Sequence, residues 1–365
     1  MDLSLTEKSH MAKMPAPIHT TVGLIYQAYE QDADTGNRPH LGASLIGHPC
    51  ERYLWLTFRW VDSKKFSGRM LRLFETGQLA EGRFVDNLRR TGVEVHDTTP
   101  DGKQWRVSDL GGHFAGSMDG ACVGLPESPK TWHVVEFKTH NDKSFNELAK
   151  KGVAAAKPQH MAQMQIYMGL TGMTRAFYMA VNKNNDELYS ERLEFDQAEF
   201  DKLRARAERV IHASEPPLKI SQDPSWFVCK MCDFHDHCHG EAAPAVNCRT
   251  CAHSTPATAG GEALWECSRN AEMVEPIPSV EYQRKGCSSH RYIPILLDRF
   301  ATRSDYHNGD VVYVDKAGAL FSNGEGPGAL ASQEIRDIES KLLLGDVAKL
   351  KGEMAGQGFD SRVVA

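Results

Sequence analysis

The sequence predicts an α/β protein that carries a small cysteine-rich metal-binding module and a C-terminal tail. Three observations support this. Before about residue 220 helical and extended patterns alternate, as in layered α/β folds. Of the 9 cysteines, seven crowd between Cys229 and Cys287. A chain of 365 residues is long for one compact domain and short for three. The expected divisions are residues 1–240, 241–294 and 295–365.

The elements follow in order. Thr21–Glu30 has helical spacing. Ser44 is placed to cap a helix running through Cys50 into Tyr53, Leu54 and Leu56. A longer helix, roughly Lys65–Arg90, carries Leu71, Phe74, Leu79, Phe84 and Leu88 at mostly helical spacing, and Gly92 ends it before an extended Val93–His96. Two extended runs, His113–Val123 and Trp132–Thr139, flank the turn Gly-Leu-Pro-Glu-Ser-Pro-Lys. Pro158 starts a helix over Gln159–Leu170. Ala176–Asn182 reads as a buried strand, Leu188–Phe195 as a second, and Gln197–His212 as an amphipathic helix. The tail offers a hairpin (Val-Val-Tyr-Val-Asp-Lys-Ala-Gly-Ala-Leu-Phe) and a helix near Gln333–Lys351, with no internal repeat.

Charge narrows the function classes. Lys+Arg is 42 against 48 Asp+Glu, a net of -6, so a generally basic coat for nucleic acid is excluded. Any such contact must be local. Arg59, Lys64, Lys65, Arg69, Arg72, Arg83, Arg89 and Arg90 form one basic stretch, which equally suits a solvated helix. Trp55, Phe58 and Trp60 have a base-stacking reading, although core packing suits them better. The first fourteen residues hold no apolar run, and no stretch approaches the ~18 apolar residues of a membrane span. A cytoplasmic protein with reduced thiols and no membrane contact is expected.

Chemistry appears where charges enter an apolar strand. In Trp132–Lys138, Trp132, Val134, Glu136 and Lys138 face one way, and His133, Val135 and Phe137 the other. A buried carboxylate and ammonium two residues apart are costly unless paired or metal-bound. The preceding run ends Gly116-Ser117-Met118-Asp119-Gly120, so a hairpin would bring Asp119 towards Glu136. Two carboxylates would then hold a hard divalent cation beside Lys138. The plain alternative is a Glu–Lys pair on a solvated face with Asp119 forming a turn. Gln159, Gln163 and Tyr167 make an i, i+4, i+8 stripe on the next helix, and Glu81 offers a third carboxylate.

Cysteine spacing leaves two partitions open. Cys229-x2-Cys232-x15-Cys248-x2-Cys251 fits a zinc ribbon, but strands Cys50, Cys238, Cys267 and Cys287.

This order of parts resembles the PD-(D/E)xK nuclease superfamily, and within it the RecB-like and CRISPR-associated exonucleases with an AddB-like iron–sulfur cysteine pattern. The resemblance covers roughly residues 40–240 and carries the motifs G-S-M-D-G, E-x-K and Q-x-x-x-Y. It implies a restriction-endonuclease-like core, a central mixed sheet flanked by helices. It further implies phosphodiester hydrolysis with Asp119 and Glu136 on Mg²⁺ or Mn²⁺, the Phe137 carbonyl completing the shell, and Lys138 at the attacking water. Gln163 and Tyr167 would support the lysine or the substrate strand. Glu81 stands where RecB-like members usually carry histidine, and is kept as a metal ligand, direct or through a water. The resemblance places Cys50, Cys229, Cys232 and Cys238 on a [4Fe-4S] cluster closing the nuclease domain. That partition leaves Cys248, Cys251, Cys267 and Cys287 as a second set, with His253 or His290 as substitutes for a sulfur, and zinc as its expected metal. Cys122 is then a bystander in the core, and His235, His237 and His239 are expected at the surface. The implied partner is DNA, as single strands or duplex ends, in phage or bacterial recombination and repair, with a helicase or recombinase as a candidate companion. The rival reading is a catalytically silent DNA-binding or adaptor protein with a zinc ribbon.

Overall fold

Alternating apolar residues in the middle of the chain build a five-stranded mixed sheet, and the helices on either side of it close two apolar layers. The structure is a computed structural model that describes residues 20–33, 37–63, 65–257, 261–270, 277, 279–307 and 310–357. The opening segment and Lys64 lie outside the described residues.

Helix α1 (Thr21–Asp32) is capped by Thr20, whose Oγ1 accepts from the Gly23 N–H at 3.0 Å. The short strand β1 (Leu41–Gly42) follows, then α2 (Glu51–Phe58). The continuous helix expected from Ser44 does not form. Ala43–Leu45 makes one 3-10 turn and Pro49 interrupts the path, because a proline disfavours helical backbone in the residue before it. Helix α3 (Gly68–Arg90) buries Phe84, Val85 and Leu88. Phe74 and Leu79, two members of its apolar pattern, are exposed. The N-terminal half of α3 packs against α1, which crosses so closely at Gly68 that a Cβ there would meet the Tyr26 carbonyl oxygen at 2.1 Å.

Strand β2 (Glu94–His96) leads to β3 (Trp105–Asp109), which the sequence pattern had not marked. The extended run over 113–123 is two strands, β4 (Phe114–Met118) and β5 (Gly120–Val123), belonging to different sheets. Strand β6 (His133–His140) is followed by α4 (Asp142–Ala156) and α5 (Pro158–Thr171). Then come β7 (Arg175–Asn182), β8 (Leu188–Glu194) and α6 (Gln197–His212), the last capped by Asp196. The central sheet runs β2-β5-β6-β7-β8, with β6 and β7 parallel and the other neighbours antiparallel. The small sheet runs β1-β4-β3.

The two faces of β6 diverge as its alternation requires. Val135 and Phe137 join Phe84, Val85 and Leu88 of α3, and the Phe84 and Phe137 rings stack at 5.0 Å. Val134 joins the other layer with Met164, Ile166 and Tyr167 of α5. Burying each large side chain contributes about 1.5–3 kcal/mol. Trp55, Phe58 and Trp60 are 0–1% exposed, so they are core residues with no face for a base.

Beyond α6 lie two one-turn helices, α7 (Phe227–Lys230) and α8 (His235–Cys238). A two-stranded ladder, β9 (Ser254–Pro256) with β10 (Trp265–Cys267), precedes α9 (Val280–Lys285). The tail forms a three-stranded antiparallel sheet where a hairpin was expected: β11 (Ala301–His307), β12 (Asp310–Asp315) and β13 (Leu320–Asn323). The single helix expected near Gln333–Lys351 is two, α10 (Ser332–Asp337) and α11 (Leu344–Gly356). Between them Lys341 Nζ donates to the Ile335 and Arg336 carbonyls at 2.7 Å, an ammonium cap that ends α10. Among the described residues no helix is long and apolar enough to cross a membrane.

Candidate active site

The site forms where the chain leaves one sheet for the other. Asp119 stands alone between β4 and β5, and Gly120 makes the transfer possible with φ 143°. A Cβ on Gly120 would lie 2.6 Å from the His96 carbonyl oxygen, so glycine is required by both conformation and space. This turn aims Asp119 across the ladder, where the Phe137 N–H donates to its Oδ2 at 2.7 Å.

Glu136 and Lys138 share the α5 side of β6. Lys138 Nζ donates to Glu136 Oε1, and to the Phe137 carbonyl at 3.2 Å. Glu136 is fully buried, whereas the Lys138 side chain keeps 28% of its surface open. From α5, Gln163 Nε2 donates to Glu136 Oε2 at 3.3 Å and to the Tyr167 hydroxyl at 3.1 Å. The Tyr167 hydroxyl donates onward to the Ser117 carbonyl at 2.7 Å. The i, i+4 pair therefore ties one helix to β6 and to the end of β4. Gln159, the third member of the stripe, is half-buried and packs by its backbone against Gly47, where a Cβ would lie 2.7 Å from the Gln159 Cα.

Electrostatics follow from burial. Burial raises the Glu136 carboxyl, with Lys138 opposing and Asp119 and Glu81 adding to the rise. Asp119 is raised by burial against the pull of Lys138 and the Phe137 amide. Glu81 is raised by burial and then by Asp119, which places it within electrostatic reach of the same group. Burial alone would lower Lys138, but Glu136, Asp119 and Glu81 together hold its ammonium above the ordinary value. Three carboxyl groups thus act electrostatically on a single ammonium.

Residues 22–239 match the PD-(D/E)XK nuclease superfamily. The chain belongs to that superfamily. Asp119, Glu136 and Lys138 all lie within the matched residues. Among solved structures, the alkaline exonuclease LHK-Exo from Laribacter hongkongensis is similar at 18% identity and TM-score 0.36, over 50% of this chain and 90% of that one. A phage-related exonuclease from Haemophilus somnus 129PT is similar at 16% identity and TM-score 0.27, over 36% of this chain and 66% of that one. No curated protein matches the chain.

The cysteines divide in space as well as in sequence. Cys50, Cys229, Cys232 and Cys238 line one pocket with His48, Arg52 and Lys219. Cys248, Cys251, Cys267 and Cys287 act electrostatically on one another elsewhere. All nine thiols are free, and among the described residues no three His, Cys, Asp or Glu side chains are gathered into a ready-made metal site. The expected preformed cysteine centres are therefore not seen. Cys122 is buried beside Val95 and Val135. His237 corrects another expectation: its side chain is only 7% exposed and its Nε2 meets Asp62 Oδ2 at 3.1 Å. His290 is committed on both ring nitrogens, to Thr250 Oγ1 at 3.1 Å and Ser332 Oγ at 2.8 Å. The basic stretch thins out, since Arg59 is buried, Arg83 pairs with Asp186 and Arg89 with Asp97. Lys65, Arg69, Arg72 and Arg90 stay exposed.

One network beside the site carried no sequence mark. The Tyr178 hydroxyl lies 2.9 Å from His140 Nε2 and 3.0 Å from His160 Nδ1, and Ser144 Oγ lies 3.2 Å from His140 Nδ1. Burial lowers both imidazoles, to about 4 for His140 and about 3 for His160, with Lys138 adding to each. Spacing held the clue, as His160 precedes Gln163 by one helical turn.

Proposed function

We propose that the chain is a Mg²⁺- or Mn²⁺-dependent deoxyribonuclease, an exonuclease or end-processing enzyme acting on single strands or duplex ends in recombination or repair. The observation that carries this reading is the convergence of Asp119, Glu136 and Lys138 across the β5–β6 ladder. The donor set fits a hard divalent cation: raised, oxygen-only carboxyl groups outnumber the one ammonium beside them. Asp119 and Glu136 would hold the ion, with Glu81 and the Phe137 carbonyl at its edge. When bound, such an ion lowers the pKa of water and offsets charge on the attacked phosphate.

The protein groups supply orientation and charge. Lys138, the partly open member, presents its ammonium to the phosphate and holds a proton at Nζ for exchange with the attacking water. Gln163 fixes the Glu136 carboxylate from behind, and Tyr167 locks Gln163 to β4. Exposed Lys65, Arg69, Arg72 and Arg90 supply local positive charge for a DNA backbone.

We read Cys50, Cys229, Cys232 and Cys238 as ligands of a [4Fe-4S] cluster that fastens the start of α2 to the segment after α6. The support is that the four sulfurs line one pocket together with the cationic donors Arg52 and Lys219. Such donors favour bound thiolate. A phage or bacterial cytoplasm and a helicase or recombinase companion complete the reading.

Digestion of single- and double-stranded DNA with and without Mg²⁺ tests the proposal. Wild type should degrade DNA only with metal, and Lys138→Met should lower the rate by about 10²–10⁴-fold. A wild type that cuts neither substrate, or a Lys138→Met variant as fast as wild type, overturns it. Iron analysis of Cys232→Ala tests the cluster, which requires iron in wild type and its loss in the variant.

A further inference from the structure

We propose that Cys248, Cys251, Cys267 and Cys287 bind a zinc ion through four thiolates, and that this anionic centre is the missing counter-charge for two buried arginines. The proposal does not depend on the nuclease reading.

Backbone geometry lays the segments that carry the four cysteines side by side. Cys248 and Cys251 bracket one 3-10 turn, with the Cys251 N–H donating to the Cys248 carbonyl at 3.2 Å. Cys267 ends β10 opposite Ser254, and the Ser268 N–H donates to the His253 carbonyl at 2.8 Å, so β10 returns beside the residues after Cys251. Gly286 packs on the other side, where a Cβ would be 3.4 Å from Asn247 Cα, which delivers Cys287 next to Cys248. Cys251 also pairs with Tyr292, with the Ala252 N–H donating to the Arg291 carbonyl at 2.8 Å and the Ile293 N–H to the Thr250 carbonyl at 3.0 Å, so the segment after Cys287 is laid along the C-x-x-C turn.

The arginines supply the second, independent observation. Arg249 lies inside the C-x-x-C turn and is fully buried, its guanidinium 3.6 Å from the centre of the Trp60 ring. It donates to Gln283 Oε1 at 3.1 Å, the Phe58 carbonyl at 3.1 Å and the Pro39 carbonyl at 2.9 Å. Arg59, 2% exposed, donates to the Arg249, Ser254 and Ala213 carbonyls at 3.3, 3.2 and 3.1 Å. Among the described residues every one of these acceptors is a neutral oxygen. Two neighbouring buried cations without a carboxylate are costly by several kcal/mol each.

Neutral thiols would supply no anion to balance them. A divalent ion displaces those thiol protons and leaves a centre of charge about −2 beside Arg249. An all-sulfur tetrahedral set selects zinc among available divalent ions.

Metal content of the full-length protein and its Cys267→Ser and Cys287→Ser variants tests this. About one zinc per chain is expected in wild type, falling at least fivefold in each variant while iron is unchanged. Failure of the iron–sulfur reading would alter the iron and leave this pattern intact. Wild type without zinc, or both variants with full zinc, overturns the proposal. Should the variants fail to fold, cobalt exchange into wild type decides. Intense visible bands with thiolate charge transfer are expected, and a weak octahedral spectrum overturns it.

Discussion

Gly116 lies beneath the ring of Tyr167, and filling that space should disable the site from a distance. A Cβ built on Gly116 would stand 2.8 Å from both Cε1 and the hydroxyl of Tyr167, and 3.0 Å from the Ala43 Cβ. Ordinary contact begins near 3.4 Å, so Gly116→Ala must push the ring away by roughly 0.6 Å. Overpacking of this kind costs about 1–3 kcal/mol. Lifting Tyr167 also weakens its 2.7 Å bond to the Ser117 carbonyl, which is worth about 0.5–1.5 kcal/mol. The expected loss is about 2–4 kcal/mol, a fall in Tm of roughly 5–10 °C. Metal-dependent digestion should fall with it, because Tyr167 anchors Gln163 and Gln163 holds Glu136. Calorimetry on a double-mutant cycle with Tyr167→Leu isolates the clash, and the two changes should couple by about 1–2 kcal/mol. A Gly116→Ala protein that melts and cuts like wild type, or costs that simply add, would refute the reasoning.

Three other outcomes follow from the same site. Gly120→Ala should destabilise by more than about 2 kcal/mol, read by denaturant unfolding, since φ 143° and the 2.6 Å approach to His96 both oppose a side chain. Mg²⁺ binding near neutral pH should release protons, because Glu136, Asp119 and Glu81 all titrate above ordinary carboxyl groups; calorimetry in buffers of different ionisation enthalpy should show it, and buffer-independent heats would count against it. With metal removed, stability should fall as pH rises from about 4 through these raised values, since the folded state binds more protons than the unfolded one there. Melts at stepped pH check that sign, and Mg²⁺ should flatten the slope.

The sequence revealed the site better than its mounting. Period-two alternation correctly put Glu136 and Lys138 on one face and Val135 and Phe137 on the other, because a strand leaves no choice of side. Spacing alone likewise linked Gln163 to Tyr167. The run over 113–123 looked continuous because apolar residues persist through it, whereas the break at Asp119 depends on Gly120 and on a β3 partner without a strong pattern. The exposure of Phe74 and Leu79 has a related reason: helical periodicity shows that a face exists, not that a sheet extends far enough to cover it. Lys341 closes α10 through the lone pairs of backbone carbonyls, and one-letter patterning carries no trace of that.

The passage of the chain from one sheet to the other at Asp119 has a consequence for how such a site can vary. Glu136 and Lys138 are fixed to the central sheet, but Asp119 is shared between two platforms. Small changes in the β1-β4-β3 platform would therefore tilt one carboxylate relative to the other two groups. Substitutions on the far side of β3 could retune the fit to an ion of different radius without replacing any ligand. The small sheet would serve as an adjustment screw, and the reacting residues could stay constant while the preference drifts.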